Sequence, residues 1–187
     1  KKIAICNSYE FKDTNVERKI YSVFPNYKNM IDFHYVKNDC FVCHSKWHHT
    51  IKQYYSTLIH YNKFILTNDS YLFIKEPCVL SEFMDFNYEM QSILISNENS
   101  YHYTDFLRIY NYSGLLKINN FYKKFIDNNK ESMSLYQYDI ISDLEMKSHN
   151  IFSNKNGLFE ENSPVNIHFI EPYKKKFIEE LHYPIIK

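Results

Sequence analysis

Only two glycines, Gly114 and Gly157, occur in the 187 residues of this chain. The phosphate loops of dinucleotide-binding and Walker type need several glycines close together, so both are excluded. Any phosphate held here must be held by another device, and a metal ion is the obvious one. Charge of one sign is also missing: 22 basic side chains stand against 22 acidic ones. Nucleic-acid-binding surfaces usually show a basic surplus, so no nucleic-acid partner is expected. The longest clean apolar run is a handful of residues, too short to span a membrane. "KKIAICNS" (1–8) is likewise too short and too quickly polar for a signal peptide. Four cysteines do not make a disulfide framework in a chain of this size, which points to reduced thiols in a cytoplasmic setting.

What is present is apolar and aromatic. Hydrophobic residues make up 44% of the chain and aromatic ones 18%, enough to bury a substantial core in one domain over residues 1–187. Strand and helix patterns alternate. "KIAIC" (2–6), "DFHYV" (32–36), "KFILT" (63–67), "SILIS" (92–96) and "FLRIY" (106–110) read as strands, the first and third as buried ones. "VERKIYSVF" (16–24), the stretch from Lys46 to His60, "LLKINNFYKKFI" (115–126), "DIISDLEMKS" (139–148) and "PYKKKFIEELH" (172–182) read as helices. In the second of these, Trp47, Ile51, Tyr54, Tyr55, Leu58 and Ile59 fall on one face. The alternation predicts an α/β domain with a mostly parallel, mixed central sheet flanked by helices.

"CFVCHSKWHH" (40–49) carries the densest set of potential ligands. Cys40, Cys43 and His44 spell a haem-attachment motif, which belongs to secreted and usually small helical folds. Apolar residues between the cysteines do not suit a thioredoxin-like pair. His44 and His48 are four apart and can share a helix face with a zinc ion, but Cys6 and Cys78 are too isolated to complete a structural site. His48, His49 and His60 fall among polar residues, where solvated histidines are ordinary. The prevailing reading is small apolar thiols near the start of an amphipathic helix.

"KFILTNDSYLF" (63–73) is more informative, because a strand delivers Asn68, Asp69 and Ser70 at its carboxyl end, where α/β sheets bind ligands. A plain Asx turn is the competing reading. The stretch resembles the "ILxNDS" segment of glycosyltransferase domains of the rhamnan-synthesis-F type and of the related capsid-glycan glycosyltransferases of large chlorella viruses. "YHYTDFLRIYN" (101–111) is similar to that family's "HxQSxFLxF" strand, with His102 and Phe106-Leu107 in place. "YDIISDLEMKSHNI" (138–151) resembles its "YExGLSxLLxxxG" helix start, with Asp139 where the family has Glu. "NIHFIEPYKKKFIEELHYPIIK" (166–187) resembles its closing segment, including Tyr183-Pro184 and Lys187. "VKNDCFVCHSKWHHTI" matches a further family segment at Asn38 and Trp47, with Cys and Ser near positions where the family has Asp and Gly.

The resemblance implies a GT-A-like single domain, the look of one excised from a longer chain. It implies a hexosyltransferase moving a rhamnose- or glucose-type hexose from a UDP-sugar to a glycan acceptor, part of a surface glycan or carried on a viral capsid protein in the host cytoplasm. Asp69 would bind Mn²⁺ or Mg²⁺, oxygen-preferring ions that neutralise the leaving diphosphate. Asn7, Asn38, Trp47, Asn68, Ser70, His102, Arg108 and Lys187 would contact nucleotide or sugar, Arg108 having a surface cation as its ordinary alternative. Two carboxylates are candidates for the chemistry. Asp105 would act at the sugar, since a charge inside an apolar run points to a cavity. Asp139 would act at the acceptor, its ordinary alternative being a helix N-cap. His168 is a further late histidine. A reading from a different class is a non-catalytic interaction domain, zinc-stabilised or carbohydrate-binding, on the same scaffold.

Overall fold

The computed structural model describes residues 2–12, 15–37, 41–68, 72–73, 87–96, 101–105, 107–129, 138–160 and 185–186. The fold is mixed α/β, as the alternation of patterns indicates. Contacts divide the chain into two compact units, one of residues 1–58 with 119–141 and the other of 59–118 with 142–187.

In the first unit, strands β1 (Ile3–Ser8) and β2 (Ile31–Val36) pair in parallel, from Ile3 opposite Ile31 to Ser8 opposite Val36. A parallel pair needs a crossover, and helix α1 (Val16–Val23) lies within it. Asn15 precedes α1 at φ 59, left-handed backbone that Asn tolerates, and its carbonyl accepts the Lys19 N–H at 2.9 Å. Helix α2 (Val42–Gln53) starts earlier and stops sooner than the apolar spacing suggests, and a 3-10 turn over Tyr55–His60 follows. That turn rotates the stripe out of register. Trp47, Ile51 and Leu58 are buried, whereas Tyr55 and Ile59 are 56% and 68% exposed. Tyr54, at the end of α2, gives its only proton to Asp32 at 2.5 Å, so His34 Nε2 donates to the Tyr54 oxygen at 2.8 Å. Lys2 completes this chain 2.7 Å from Asp32. Lys2 and then the Tyr54 hydroxyl hold the Asp32 carboxyl below its ordinary range.

The second unit is built on a five-stranded sheet. Strand β3 (Phe64–Thr67) pairs antiparallel with β7 (Leu107–Tyr110), and β7 pairs antiparallel with β5 (Met90–Ser96). β5 also pairs antiparallel with β6 (His102–Tyr103) and parallel with β8 (Lys155–Glu160). The short strands β4 (Leu72–Phe73) and β9 (Ile185–Ile186) pair antiparallel. The sheet is thus mixed, with antiparallel pairs predominating among the described strands. β3 lies at the end of the strand order, and alternate residues are exposed, Ile65 at 44%, so it is a half-exposed strand and not the buried one its apolar run suggests. The expected helix at 172–182 lies outside the described residues.

Helix α3 (Tyr112–Asn128) gives its first turns to this unit and its later turns to the other. Asn111 caps it: the side-chain Oδ1 accepts the Gly114 N–H at 2.8 Å and the carbonyl accepts the Leu115 N–H at 2.9 Å. Leu115 and Ile118 are buried in this unit, as are Met90, Leu107 and Ile109 of the sheet and Leu144 of helix α4 (Tyr138–Ser148).

Both glycines sit where a side chain does not fit. A Cβ on Gly114 would lie 1.8 Å from the Glu89 carbonyl oxygen, and one on Gly157 would lie 2.2 Å from Cγ1 of Ile95. The first obstacle is backbone and the second a side chain with rotamers to give. Gly114→Ala is therefore expected to destabilise by about 3 kcal/mol and Gly157→Ala by about 1–2 kcal/mol, read as urea midpoints at constant m-value. Equal costs would show that the Glu89 backbone yields as readily as the Ile95 side chain.

Candidate functional site

Strands β6 and β7 run along the same side of β5, but their registers do not agree. Ile95 faces Tyr103, whereas Ser92 faces Arg108. From Ser92 to Ile95 is three steps and from Arg108 to Tyr103 is five, so two extra residues form a bulge between Tyr103 and Arg108. Bulges of this kind redirect side chains and gather at functional sites.

Arg108 holds the bulge. Its side chain has no solvent exposure, and a buried guanidinium must spend its N–H groups. Nε donates to the Thr104 carbonyl at 2.9 Å, one terminal nitrogen to the Tyr103 carbonyl, and the other to Ser148 Oγ at 2.6 Å. Ser148 passes its own proton to the Glu145 carbonyl at 2.8 Å. The Ser92 hydroxyl also donates to the Thr104 carbonyl, at 2.7 Å. The outward-turned backbone of the bulge is thus fastened to β5 and to the end of α4.

Directly opposed residues of a ladder share a face, so Ser92, Ser96, His102 and Arg108 form a buried polar row on one face of the sheet. Glu145 of α4 meets this row. Its Oε1 accepts the Asp105 backbone N–H at 3.2 Å and lies 3.7 Å from His102 Nε2. Burial, and then the negative charge of Asp105, push the Glu145 carboxyl above its ordinary range, while Arg108, His102 and the Asp105 N–H pull it back. A carboxyl raised toward neutrality in a polar cluster has the properties of a general acid or base.

His149, in the 3-10 turn that follows α4, has its ring centroid 5.4 Å from that of Tyr103, and Lys155 Nζ lies 5.6 Å from the same tyrosine centroid. Lys155 donates to the carbonyls of His149 and Phe152, at 3.0 and 3.3 Å. His149 is buried, and among the described residues its Nδ1 has no hydrogen-bond partner. Burial foremost, then the charges of Arg108 and Lys155, push its pKa down to about 4.

The residues singled out in the sequence fall in different places. His102 and Asp105 are buried at the bulge, each 8% exposed. Arg108 is neither a surface cation nor open toward a phosphate, because its donors serve the bulge carbonyls and Ser148. Asn68 follows β3 directly, and its neighbour Thr67 faces Leu107, so the chain leaves β3 at the end of the sheet where the bulge lies. Asp69, Ser70, Asn38, Cys40, Cys78, His168 and Lys187 lie outside the described residues. Asp139 falls inside the first turn of α4, which begins at Tyr138, and so not at the N-cap. Asn7 belongs to β1, its Oδ1 accepting the Ser8 N–H at 3.0 Å. Trp47 is a core residue of the first unit, 5.1 Å from the His44 ring and 6.2 Å from that of Tyr122. His44 is buried beside it, with Nδ1 3.3 Å from the Phe41 carbonyl. His48 is not a solvated histidine, since its Nδ1 donates to Asn119 Oδ1 at 2.8 Å. Cys6 is a half-buried thiol raised by its burial, in keeping with a packing role. Glu145, Ser148 and His149 escaped the sequence reading. Their three-residue spacing from Glu145 to Ser148 on one helix face was the available signal.

The chain matches no family model and no curated protein. Among solved structures it is similar to one described as a glycosyltransferase involved in the glycosylation of the major capsid of PBCV-1. Identity is 14% and the TM-score 0.49, over 85% of this chain and 82% of that one.

A histidine held neutral to about pH 4 stabilises the fold only while it stays neutral. Above its ordinary value of 6.5 the contribution is complete, and it is lost as pH falls from 6.5 through 4 because the unfolded chain binds the proton first. His149→Phe, which keeps a ring beside Tyr103, is expected to remove on the order of 2 kcal/mol of acid destabilisation in this window. Denaturant midpoints between these pH values test it, and an unchanged acid limb would refute the assignment.

Proposed function

We propose that this chain is a metal-dependent glycosyltransferase moving a hexose of the rhamnose or glucose type from a UDP-sugar to a glycan acceptor. The observation that carries the reading is a convergence. Segments 63–73, 101–111 and 138–151, which resemble one glycosyltransferase family separately in sequence, meet in space. Thr67 faces Leu107 beside the bulge, and Glu145 accepts the Asp105 N–H. Three segments so far apart have no reason to meet at a buried polar cluster if each resemblance is accidental.

Asp105, Glu145 and His102 lie together at the bulge, and Asn68 follows β3 at the same sheet end. Among the described residues, the cations at the bulge are committed elsewhere. Arg108 donates to two carbonyls and Ser148, and Lys155 to two carbonyls. Neutralising a leaving diphosphate therefore falls to Mn²⁺ or Mg²⁺, with Asp69 as its protein ligand and Asn68 and Ser70 orienting that carboxylate or the ribose. When bound, the ion supplies charge stabilisation at the diphosphate. Asp105 acts at the sugar, where positive charge develops at the anomeric carbon, and His102 orients a donor hydroxyl. Asp139 keeps the acceptor-side role that the resemblance gives it. The product belongs to a surface or capsid glycan, assembled in the cytoplasm of the host if the source is viral. No described helix is long and apolar enough to cross a membrane.

Calorimetry of UDP with and without Mn²⁺ tests this reading. Wild-type chain is expected to bind UDP only with the metal, and Asp69→Ala to lose that binding at least a hundredfold while its melting temperature stays within a few degrees. UDP binding by Asp69→Ala that is undiminished in excess chelator would refute the metal role. Tight zinc without UDP binding would favour an interaction domain instead.

A further inference from the structure

Of the two described carboxylates at the bulge, Asp105 is 8% exposed, and Glu145 combines a fixed place beside the polar row with access to solvent. Its side chain is 25% exposed, whereas His102 beside it is 10% exposed. One oxygen is held by the Asp105 N–H, and the row of Arg108, His102 and Ser148 fixes the backbone around it. We infer that Glu145 is the proton acceptor of the transfer reaction, with His102 as the residue that positions its carboxylate. The inference rests on the glycosyltransferase reading and adds to it a residue which the sequence resemblance does not mark.

The step balances without any further reactant. The acceptor hydroxyl oxygen forms a bond to the anomeric carbon as the bond from that carbon to the diphosphate oxygen breaks. The electron pair leaves on the diphosphate. The hydroxyl proton passes to the Glu145 carboxylate, which releases it to water through its exposed edge before the next turnover. A base works best when its own affinity for a proton is near that of its surroundings. The groups facing Glu145 set that affinity: Asp105 raises it together with burial, and Arg108 and His102 lower it.

A purely structural role is the competing explanation, and Glu145→Gln separates the two. The amide oxygen of glutamine still accepts the Asp105 N–H, but the side chain cannot take a proton. The full chain would be assayed with Mn²⁺ and UDP-glucose or UDP-rhamnose, using free glucose and free rhamnose as acceptors and release of UDP as the signal. Glu145→Gln is expected to lose transfer about a hundredfold or more, with UDP affinity and melting temperature unchanged or the latter raised. The wild-type kcat/KM profile should fall on the acid side at a pH above the ordinary carboxylate range, and that limb should vanish in Glu145→Gln. Glu145→Asp, which keeps the charge but shortens its reach, should recover part of the rate and the limb. His102→Asn should shift the limb without removing it. Wild-type rates in Glu145→Gln would overturn the inference, as would parallel loss of UDP binding and melting temperature in both Glu145 variants. If wild-type chain binds UDP with Mn²⁺ yet its acid limb is an ordinary carboxylate's, the inference fails and the broader reading stands. If it neither binds nor releases UDP, both fall.

Discussion

A guanidinium with no access to water cannot leave its N–H groups unspent, and Arg108 meets that demand by drawing the backbone of its own strand out of register. The carbonyls of Tyr103 and Thr104 both accept from it. Those carbonyls are free to turn because two extra residues interrupt the ladder. The third donor reaches Ser148 and so fixes the last turn of α4 against the same strand. The position of Glu145, one turn earlier on that helix, follows from this single buried charge. Remove the charge and the bulge loses much of its support, because the Tyr103 carbonyl loses the Arg108 donor and the Thr104 carbonyl keeps only the Ser92 hydroxyl.

Two neighbouring groups are displaced in opposite directions by one environment. Burial dominates in both cases, raising the Glu145 carboxyl and lowering the His149 imidazole, so each is biased toward its neutral form. A low-dielectric region around a polar row thus resists charge of either sign, save for Arg108, each of whose three nitrogens donates a hydrogen bond. The consequence for chemistry is a carboxyl that holds its proton more firmly than an exposed one does. The consequence for stability is a fold that loses support from His149 on acidification.

Much of the scaffold was legible. "KIAIC" and "DFHYV" became the parallel pair β1–β2, and "VERKIYSVF" the helix in their crossover, because apolar period and turn placement are local properties. Three of the segments that carry the family resemblance met in one unit. Burial was less legible where tertiary pairing decides it. "KFILT" has the composition of a buried strand, but at the end of the strand order it shows alternate residues to solvent. Lys46 to His60 shows helical spacing throughout, but the change to a 3-10 turn at Tyr55 turned Tyr55 and Ile59 outward. The candidate site was half legible. His102 and Asp105 stand out as polar residues within an apolar run, whereas Glu145 lies in an ordinary amphipathic helix and acquires its character from burial and then from Asp105 across the fold. The densest ligand motif of the sequence misled in the other direction. His44 is part of an aromatic core with Trp47 and Tyr122, and His48 is tied to Asn119.

The number of extra residues in the bulge has a consequence for how such a site can arise. Side chains alternate between the faces of a sheet with period two, so an odd insertion would turn every residue beyond it to the opposite face. An even insertion leaves the alternation intact. His102 and Arg108, on either side of the interruption, therefore keep the same face as Ser96 and Ser92. The hairpin on each side needs no re-patterning to receive the insertion. A reactive cluster can in this way be grafted onto an ordinary antiparallel ladder, or withdrawn from it, by a six-nucleotide change in the gene that leaves the rest of the sheet's inward and outward residues as they were.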